Sequence, residues 1–407
     1  MAIGYYDHQN CQSWGTCGLD FRHNMDVITN ASDIYSTRYF TDRCVHIIDQ
    51  HNTSQPLFLY VPYQAVQVPF VPIRERMDLF PYIRSPERRV LAAMAYSMDE
   101  SIGTIMEALH SKHMLDNSIV IFISDNGGHP FEHNKWTRSA TSGPRANDGQ
   151  NRPLRGGKFL LYEGGIRVPA LVWSPLLNKS GYVSQALVHI TDLLPTVLEA
   201  IDGTRLNDDD HQSVSQWKVL SNNERPVRWE IQHNVDTIEN SSAIRWHDWK
   251  LIQTRKPFGQ SPADYNHFPI DIGPHSRQTL QHNDRLNSKT YRILRQMNRR
   301  PDYTVLSSEV VECRPVPTDS HHPPDCMSDY CLFNVRHDPC EQHNLIGQTD
   351  RRFVRFLRQK MVTFDTSSVP PLSLVPNDPK SNPKLYNNTY VNWLDYYQNE
   401  HGQFITD

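Results

Sequence analysis

The sequence lacks any apolar run near the roughly 18 residues that cross a bilayer. Its first residues also lack the basic start and apolar core of a signal peptide. An excess of positive charge is missing as well: the net charge is -4 over 407 residues, which argues against nucleic acid as a partner. Neither Cys-x-x-Cys nor His-Glu-x-x-His occurs, so the common zinc signatures are excluded.

Cysteine is scarce and dispersed. The seven cysteines stand at positions 11, 17, 44, 313, 326, 331 and 340. Cys44 lies on a helical pattern and is predicted to be buried and free. The others are either disulfides of an oxidising compartment or reduced cytosolic thiols, and we expect the former. Five Asn-x-Ser/Thr sequons favour a glycoprotein only weakly, because a chain rich in Asn and Ser carries several by chance.

The first half of the chain alternates between helix and strand patterns, as α/β proteins do. Length and a hydrophobic content of 38% allow two domains, and the polar residues 207–211 predict a border between residues 1–212 and 213–407. We predict helices over 32–51, from Ser85-Pro86 to Leu109, and over 187–200, with short buried strands at 56–61 and 119–123.

The second half predicts a smaller unit. Strand-like stretches occur at 229–235, 243–253 and 330–335, and an amphipathic helix pattern follows at 350–364. Strands followed by one helix favour an antiparallel sheet with a covering helix.

One short apolar run ends at an acid, an amide and two glycines. Residues 119–123 show no alternation, which predicts a strand buried on both faces of a parallel sheet. Asp125, Asn126, Gly127 and Gly128 follow. Ligands collect at the carboxyl ends of such strands, and carboxylate and amide oxygens suit Ca²⁺ or Mg²⁺. The same four residues also suit an ordinary turn.

Three further motifs make the pattern specific. Residues 154–158 read Leu-Arg-Gly-Gly-Lys, 163–169 read Glu-Gly-Gly-Ile-Arg-Val-Pro, and 189–195 read His-Ile-Thr-Asp-Leu-Leu-Pro. With the Asp-Asn-Gly-Gly element before them, they resemble the sulfatase family in order and spacing, most of all its arylsulfatase B, I and J branch. Other similar stretches extend the resemblance over nearly the whole chain, and residues 257–329 are the least clear part.

The resemblance implies a fold, a reaction and a site. The fold is the alkaline-phosphatase-like sulfatase fold, in which helices cover a parallel-rich central sheet and a smaller antiparallel carboxyl-terminal domain narrows the cleft. The reaction is hydrolysis of a sulfated small molecule or glycosaminoglycan by a formylglycine nucleophile, in a lysosomal or secreted protein. Asp125 and Asn126 match a pair of Ca²⁺ ligands, and Lys158 matches the lysine that donates to sulfate. Cys11 and Cys17 match a local disulfide.

Two departures from the family pattern concern catalysis. The first strands, their carboxylate pair and the Cys-x-Pro-x-Arg motif that yields formylglycine are absent from the sequence, so the nucleophile is absent and the Ca²⁺ site is incomplete. We reject Cys313-Arg-Pro-Val-Pro317 because Pro317 stands where arginine is required. Gln67 stands at the position of the family's histidine, and glutamine cannot shuttle a proton near pH 7. We therefore expect an amino-terminally truncated sulfatase chain that is inactive by itself.

Three functions stay open at this point. The chain is part of an authentic sulfatase, or it is a catalytically inactive sulfatase-like protein that binds sulfated glycans or a partner, for which Gln67 is the best support. The third is a relative that cleaves phosphate esters, and Lys158 argues against it. For Lys158 itself, the alternative to sulfate binding is a solvated side chain in a glycine turn.

Overall fold

The computed structural model describes most of the chain, with gaps. The described residues are 9–10, 17–31, 34–67, 70–71, 73–83, 85–128, 149, 151, 153–204, 213–236, 238, 241–254, 287–301, 311, 313, 326, 329–367, 377–392, 396–398 and 404–406. Most of the polar loop at 129–152 and most of the tract at 257–329 therefore lie outside the described residues.

The helices of the described part lie in both halves of the chain. They are α1 Ser36–Gln50, α2 Arg74–Met77, α3 Pro86–Ser111, α4 Glu163–Ile166, α5 Leu193–Asp202, α6 Trp217–Asn222, α7 Lys289–Gln296 and α8 Arg351–Ser367. Within these residues, no helix combines the length and the apolar character that a bilayer crossing requires.

The strands are mostly short. They are β1 Gln9–Asn10, β2 Gly18–Leu19, β3 Arg22–His23, β4 Asp26–Val27, β5 Val120–Ile123, β6 Ala170–Trp173, β7 Glu230–Asp236, β8 Ser241–Trp246, β9 Trp249–Gln253, β10 Cys331–Asn334, β11 Tyr396–Gln398 and β12 Phe404–Thr406. The longer ones belong to one sheet in the second half of the chain.

α3 is the central helix of the first half. It begins where the sequence predicts, because Ser85 caps it: the Arg88 N–H donates to Ser85 Oγ at 3.3 Å, and Pro86 occupies the first turn. On its apolar side Met94 is buried, and Ile102 and Leu109 pack half-buried against the core cluster that contains Met106. α1 and α7 pack on α3, and β5 follows it closely in the chain.

Two strand predictions in the first half need correction. Residues 56–61 form no strand, and Phe58 and Tyr60 are 85% and 70% exposed. β5 does form, but it pairs antiparallel with β6 and is only partly buried, whereas a parallel strand covered on both faces was expected. An apolar run indicates that a segment tends to be buried. It gives no information about the direction of the partner strand, because the connection between the two strands decides that direction.

The second half confirms the predicted antiparallel sheet with a covering helix. Its strand order is β10-β9-β8-β7, and every neighbouring pair is antiparallel. The stretch predicted at 243–253 is a hairpin, β8 and β9, because Trp246 and Trp249 pair across a tight turn. α8 covers one face through Val354 and Leu357, and Leu160 and Tyr162 from the first half pack on the other. This sheet is therefore the wall against which the candidate site is built.

Four cysteines of this second half form two disulfides. Cys313 pairs with Cys340 and Cys326 with Cys331, at Cα separations of 5.7 and 5.3 Å. Cys17 is also disulfide-bonded, whereas Cys11 lies outside the described residues. Cys44 is buried and free, as predicted, and burial raises the pKa of its thiol to about 11. Its thiol is therefore protonated at neutral pH and a poor nucleophile.

Candidate functional site

The turn after β5 carries the two residues predicted to bind a metal. Asp125 is exposed and Asn126 is half-buried. Ser124 Oγ donates to the Asn126 carbonyl at 3.0 Å, and Asn126 Nδ2 donates to the Gly127 carbonyl at 2.9 Å. These local bonds hold the turn in shape and use the donor end of the Asn126 amide. Its acceptor oxygen is the end that suits a cation.

Backbone hydrogen bonds fasten this turn to the two glycine-rich motifs. The Lys158 N–H donates to the Gly128 carbonyl at 2.9 Å, and the Gly127 N–H donates to the Gly165 carbonyl at 2.9 Å. The Gly164 N–H in turn donates to the Arg155 carbonyl at 2.7 Å. Three segments that are far apart in sequence therefore form one hydrogen-bonded platform, and Lys158 lies beside the Asp125–Asn126 turn.

Asn151 joins the same segments through its side chain. It accepts the Gly128 N–H at 2.7 Å and donates to the carbonyls of Gly128 and Gly156, at 2.9 and 3.0 Å. A single carboxamide thus satisfies three backbone groups of two different motifs. Asn151 is a positioning residue that sequence reasoning missed, since one asparagine in a polar loop carries no recognisable signal.

The platform requires glycine because its backbones touch. A Cβ at Gly127 would lie 1.8 Å from the Gly164 carbonyl oxygen, and a Cβ at Gly165 would lie 2.1 Å from the Leu160 carbonyl oxygen. A Cβ at Gly164 would meet two carbonyl oxygens at 2.5 Å. These distances explain why both motifs contain paired glycines: any side chain would separate the segments that hold Lys158.

The Lys158 side chain is half-buried and lies beside an aromatic ring. Its Nζ is 5.6 Å from the centroid of the Phe159 ring, within the range of a cation–π contact. Phe159 is 54% exposed and has a φ of 75°, a left-handed conformation that costs a non-glycine residue about 1–3 kcal/mol. Strain of this kind persists where surrounding structure holds it, here the turn that the Leu160 N–H closes on Gly157 at 3.0 Å.

A buried charge network lies beneath the platform and ties it to the second half of the chain. Lys250 Nζ on β9 lies 3.0 Å from Glu163 Oε1 and 2.8 Å from Glu341 Oε1. Glu341 Oε2 accepts the Glu163 N–H at 2.7 Å. Arg155 donates to the Glu341 carbonyl at 3.0 Å and stacks on the Tyr162 ring at 4.0 Å. The charged groups are all buried, so each depends on the others for compensation.

The two carboxyls of this network differ in proton affinity. Burial by itself raises the pKa of Glu163, but the ammonium of Lys250, with help from Arg245, outweighs burial and lowers that pKa to about 2. Burial dominates at Glu341 and raises its pKa, although Lys250 opposes the shift. Glu163 therefore holds its charge, and Glu341 is the carboxyl that takes up a proton first as the pH falls.

The sequence missed this network, although one signal was present. Lys250 stands inside the apolar stretch Trp249–Gln253, at a position where β9 faces the protein interior. A cation in the middle of a buried strand requires carboxylates opposite it. Nothing in the sequence, however, identifies Glu163 and Glu341 as those carboxylates, since they are 178 residues apart.

Gln67 lies in a turn close to α3. Its N–H donates to the Gln64 carbonyl at 3.1 Å, and the nearby Tyr63 hydroxyl contacts Ser101 on α3. Backbone hydrogen bonds bring Lys158 next to the Asp125–Asn126 turn. The functional roles of Asp125, Asn126, Lys158 and Gln67 all stay predictions.

The oxygen atoms of Asp125 and Asn126 are of the kind that a hard cation prefers, but two ligands are too few for such a site. Ca²⁺ takes six or more oxygen ligands in proteins. Among the residues that the structure describes, no three of His, Cys, Asp and Glu come together as a metal-binding group. A cation site at Asp125 and Asn126 therefore stays a prediction, and we derive no reaction step through a bound ion.

Comparisons with known proteins agree with the motifs. A family profile described as Sulfatase matches residues 5–204. Arylsulfatase J of Mus musculus is 30% identical over 410 residues, which cover 96% of this chain and 58% of that protein. N-acetylgalactosamine-6-sulfatase of Homo sapiens is 31% identical over 180 residues, which cover 42% of this chain and 31% of that protein. This chain thus spans little more than half the length of Arylsulfatase J.

A solved structure shows the same fold. The crystal structure of Ps i-CgsB superposes with a TM-score of 0.57 at 22% identity, and the match covers 85% of this chain and 58% of that one. The mixed α/β architecture with a small antiparallel sheet is therefore the alkaline-phosphatase-like fold of sulfatases, as expected. With its domain over residues 5–204 and its glycine motifs in the family order, the chain belongs to the sulfatase family.

Proposed function

We propose that this chain carries the sulfate-binding part of a sulfuric ester hydrolase site. One observation carries the proposal: the hydrogen bond from the Lys158 main-chain N–H to the Gly128 carbonyl, 2.9 Å long, which fixes the backbone of Lys158 beside the Asp125–Asn126 turn. Membership of the sulfatase family supports it. The names of the relatives favour a sulfated aryl compound or a sulfated glycan as the substrate class.

The proposed chemistry is charge compensation. Transfer of a sulfuryl group, like that of a phosphoryl group, needs positioning and charge stabilisation more than covalent work by side chains. In this proposal the Lys158 ammonium donates to the sulfate oxygens. Asp125 and Asn126, after the carboxyl end of β5, would hold a Ca²⁺ ion, which would supply further compensation of negative charge.

We expect no turnover by the 407-residue chain alone, because its sequence contains no Cys-x-Pro-x-Arg. The near match at Cys313 offers no nucleophile either, since that sulfur is bonded to Cys340. A second candidate function follows from Gln67: a protein that binds sulfated glycans without hydrolysing them. Both functions need Lys158, and they differ in turnover.

The test is sulfate binding by the protein and its Lys158 variants. In calorimetry with inorganic sulfate, Lys158→Ala should weaken binding about 10- to 100-fold, since a charge-assisted hydrogen bond contributes about 1.5–3 kcal/mol. Lys158→Arg should keep part of the affinity because it keeps the charge. Lys218→Ala, an exposed lysine on α6, is the matched control and should change nothing. Equal affinity of Lys158→Ala and the unchanged protein would refute the role of Lys158.

Two further measurements separate the alternatives. Inorganic phosphate in place of sulfate tests the phosphate-ester alternative, which predicts tighter binding of phosphate. Incubation with p-nitrophenyl sulfate tests catalysis, and release of p-nitrophenol above the buffer rate would refute the expected inactivity.

We also propose that the protein works in an oxidising compartment, lysosomal or extracellular. The Cys313–Cys340 and Cys326–Cys331 disulfides support this proposal, because glutathione keeps cytosolic thiols reduced. Mass spectrometry of the secreted protein with and without a reductant should show these bonds intact. Free thiols at all four positions in protein from its native source would contradict it.

A further inference from the structure

Helix α8 presents a basic surface to solvent. Its outer face is defined by five exposed side chains, those of Arg351, Arg352, Arg355, Phe356 and Gln359. Two half-buried cations, Arg358 and Lys360, lie at the margins of this face. The whole sequence has a net charge of -4, whereas positions 351–360 contain only basic charges. The outer face of α8 is therefore a local reversal of the charge of the protein.

Ion pairs leave part of this positive charge uncompensated. Three of the cations have a carboxylate partner: Arg352 with Asp350, Arg358 with Asp329, and Lys360 with Glu230. Among the residues that the structure describes, no carboxylate pairs with Arg351 or Arg355. These two arginines are four positions apart, so their side chains are neighbours on one face of the helix. Two adjacent guanidinium groups are thus available to a ligand that carries several negative charges.

One aromatic ring lies among these cations. Phe356 is 41% exposed, and it is held in place by an edge contact with Trp246 at 5.2 Å and by stacking on Phe353 at 6.3 Å. The Lys360 Nζ lies 4.6 Å from the centroid of the Trp246 ring. Aromatic rings supply much of the energy of binding surfaces. A fixed ring beside guanidinium groups offers a contact for the C–H face of a sugar and donors for the anionic groups on that sugar.

The apolar side of α8 is not available to a membrane. Val354, Leu357 and Met361 are buried in the core cluster between α8 and the four-stranded sheet. A helix that binds a bilayer surface places its apolar face among the lipids. Because α8 uses that face inside the protein, its outer face suits a hydrated polyanion better than a membrane.

Two observations favour sulfate as the anionic group of that polyanion. Three of the outer-face residues are arginines, whose planar guanidinium groups bind oxyanions through two hydrogen bonds at once. The two disulfides favour a compartment outside the cytosol and nucleus, which argues against a nucleic acid. A sulfated glycan combines sugar rings with closely spaced oxyanions, and it therefore matches both the aromatic ring and the arginines.

We propose that the outer face of α8 is a second binding site for a sulfated glycan chain, separate from the platform that holds Lys158. The choice of a sulfated glycan as the polyanion rests on the proposed function. α8 packs on one face of the four-stranded sheet, and Leu160 and Tyr162 of the platform pack on the other. A glycan held at α8 therefore leaves Lys158 unoccupied.

The test is the affinity for size-defined chondroitin sulfate oligosaccharides, measured by calorimetry at about 0.15 M salt, where distant charges are screened. The double variant Arg351→Ala/Arg355→Ala should weaken binding about five- to twentyfold, because two exposed ion pairs are lost. Arg351→Lys/Arg355→Lys should give an affinity between the two, since it keeps the charges and loses the fork. Gln359→Arg adds a cation to the outer face and should tighten binding about threefold.

A matched control removes the same amount of charge elsewhere. Arg38→Ala/Lys218→Ala removes two exposed cations on α1 and α6 and should leave the affinity unchanged. Circular dichroism checks that each variant is folded. Equal affinity of the unchanged protein and a folded Arg351→Ala/Arg355→Ala variant would overturn the proposal.

Further ligands and a second background separate this proposal from the proposed function. Arg351→Ala/Arg355→Ala should cause the same fold loss of oligosaccharide affinity with Lys158 present and in Lys158→Ala, and it should leave the binding of inorganic sulfate unchanged. A fold loss that disappears in Lys158→Ala would overturn the separate site. Normal sulfate binding by Lys158→Ala would refute only the proposed function. Hyaluronan, which has no sulfate, should bind more weakly, and equally tight binding of hyaluronan, polyglutamate, duplex DNA or phosphatidylserine vesicles would overturn the proposed ligand.

Discussion

Replacing Lys250 by methionine tests the buried charge network beneath the platform. Methionine keeps most of the length of the side chain but removes the ammonium that lies 3.0 Å from Glu163 and 2.8 Å from Glu341. Lys250 and Glu341 are fully buried and Glu163 is 5% exposed, so water cannot replace the lost cation. Removing one partner of a buried ion pair costs about 3–5 kcal/mol.

The proton affinity of the carboxyls gives a second figure for this cost. A carboxyl left without its cation becomes protonated, and moving a proton onto a group of ordinary pKa 4.5 at pH 7 costs about 3.4 kcal/mol, at about 1.4 kcal/mol per pH unit. The two figures agree. At pH 5 the same protonation costs about 0.7 kcal/mol, so the loss of stability in Lys250→Met should shrink by roughly 2.7 kcal/mol between pH 7 and pH 5.

Urea unfolding followed by tryptophan fluorescence measures both values. Two of the eight tryptophans, Trp246 and Trp249, pack at the sheet that contains Lys250, so part of the signal comes from that region. Lys289→Met is the matched control, since Lys289 pairs with Glu107 at 3.3 Å in an exposed setting where an ion pair contributes less than about 1 kcal/mol. A loss below 1 kcal/mol in Lys250→Met, or a loss that does not change between pH 7 and pH 5, would refute the reasoning.

Three other outcomes follow from the structure. Gly127→Ala should destabilise the protein by about 3 kcal/mol in the same urea assay, because its Cβ would lie 1.8 Å from a backbone oxygen, whereas Gly347→Ala, with nothing within 4 Å, should cost less than about 0.5 kcal/mol. The lowered pKa of Glu163 stabilises the fold above pH 4.5, and this stability should be lost as the pH falls toward about 2; a Lys250→Met variant with the same acid profile would contradict that assignment. Calorimetry should find a Kd for Ca²⁺ of about 1 mM or weaker, because two oxygen ligands are few, and Asp125→Asn should abolish the binding. Tight stoichiometric binding would show that the site has more ligands than these two.

The sequence predicted those elements whose signals are local. The Ser85-Pro86 start of α3 and the amphipathic pattern of α8 each depend on neighbours within a few turns, and each helix forms where it was expected. The motif glycines also helped to predict the family, because close contact between two backbone segments leaves no room for a side chain. Local patterns and their order along the chain therefore predicted the α/β class, the antiparallel carboxyl-terminal sheet and the family.

Only the tertiary structure decided which distant segments meet. The antiparallel partner of β5, the exposure of Phe58 and the role of Asn151 all depend on how the chain returns after long connections, and composition does not encode that path. The clearest case is Lys250: its buried position on β9 could be read from the apolar stretch around it, but its two carboxylates come from residues 163 and 341. A charged residue in a buried strand indicates that oppositely charged partners are needed, but only the packing of distant segments brings those partners to it.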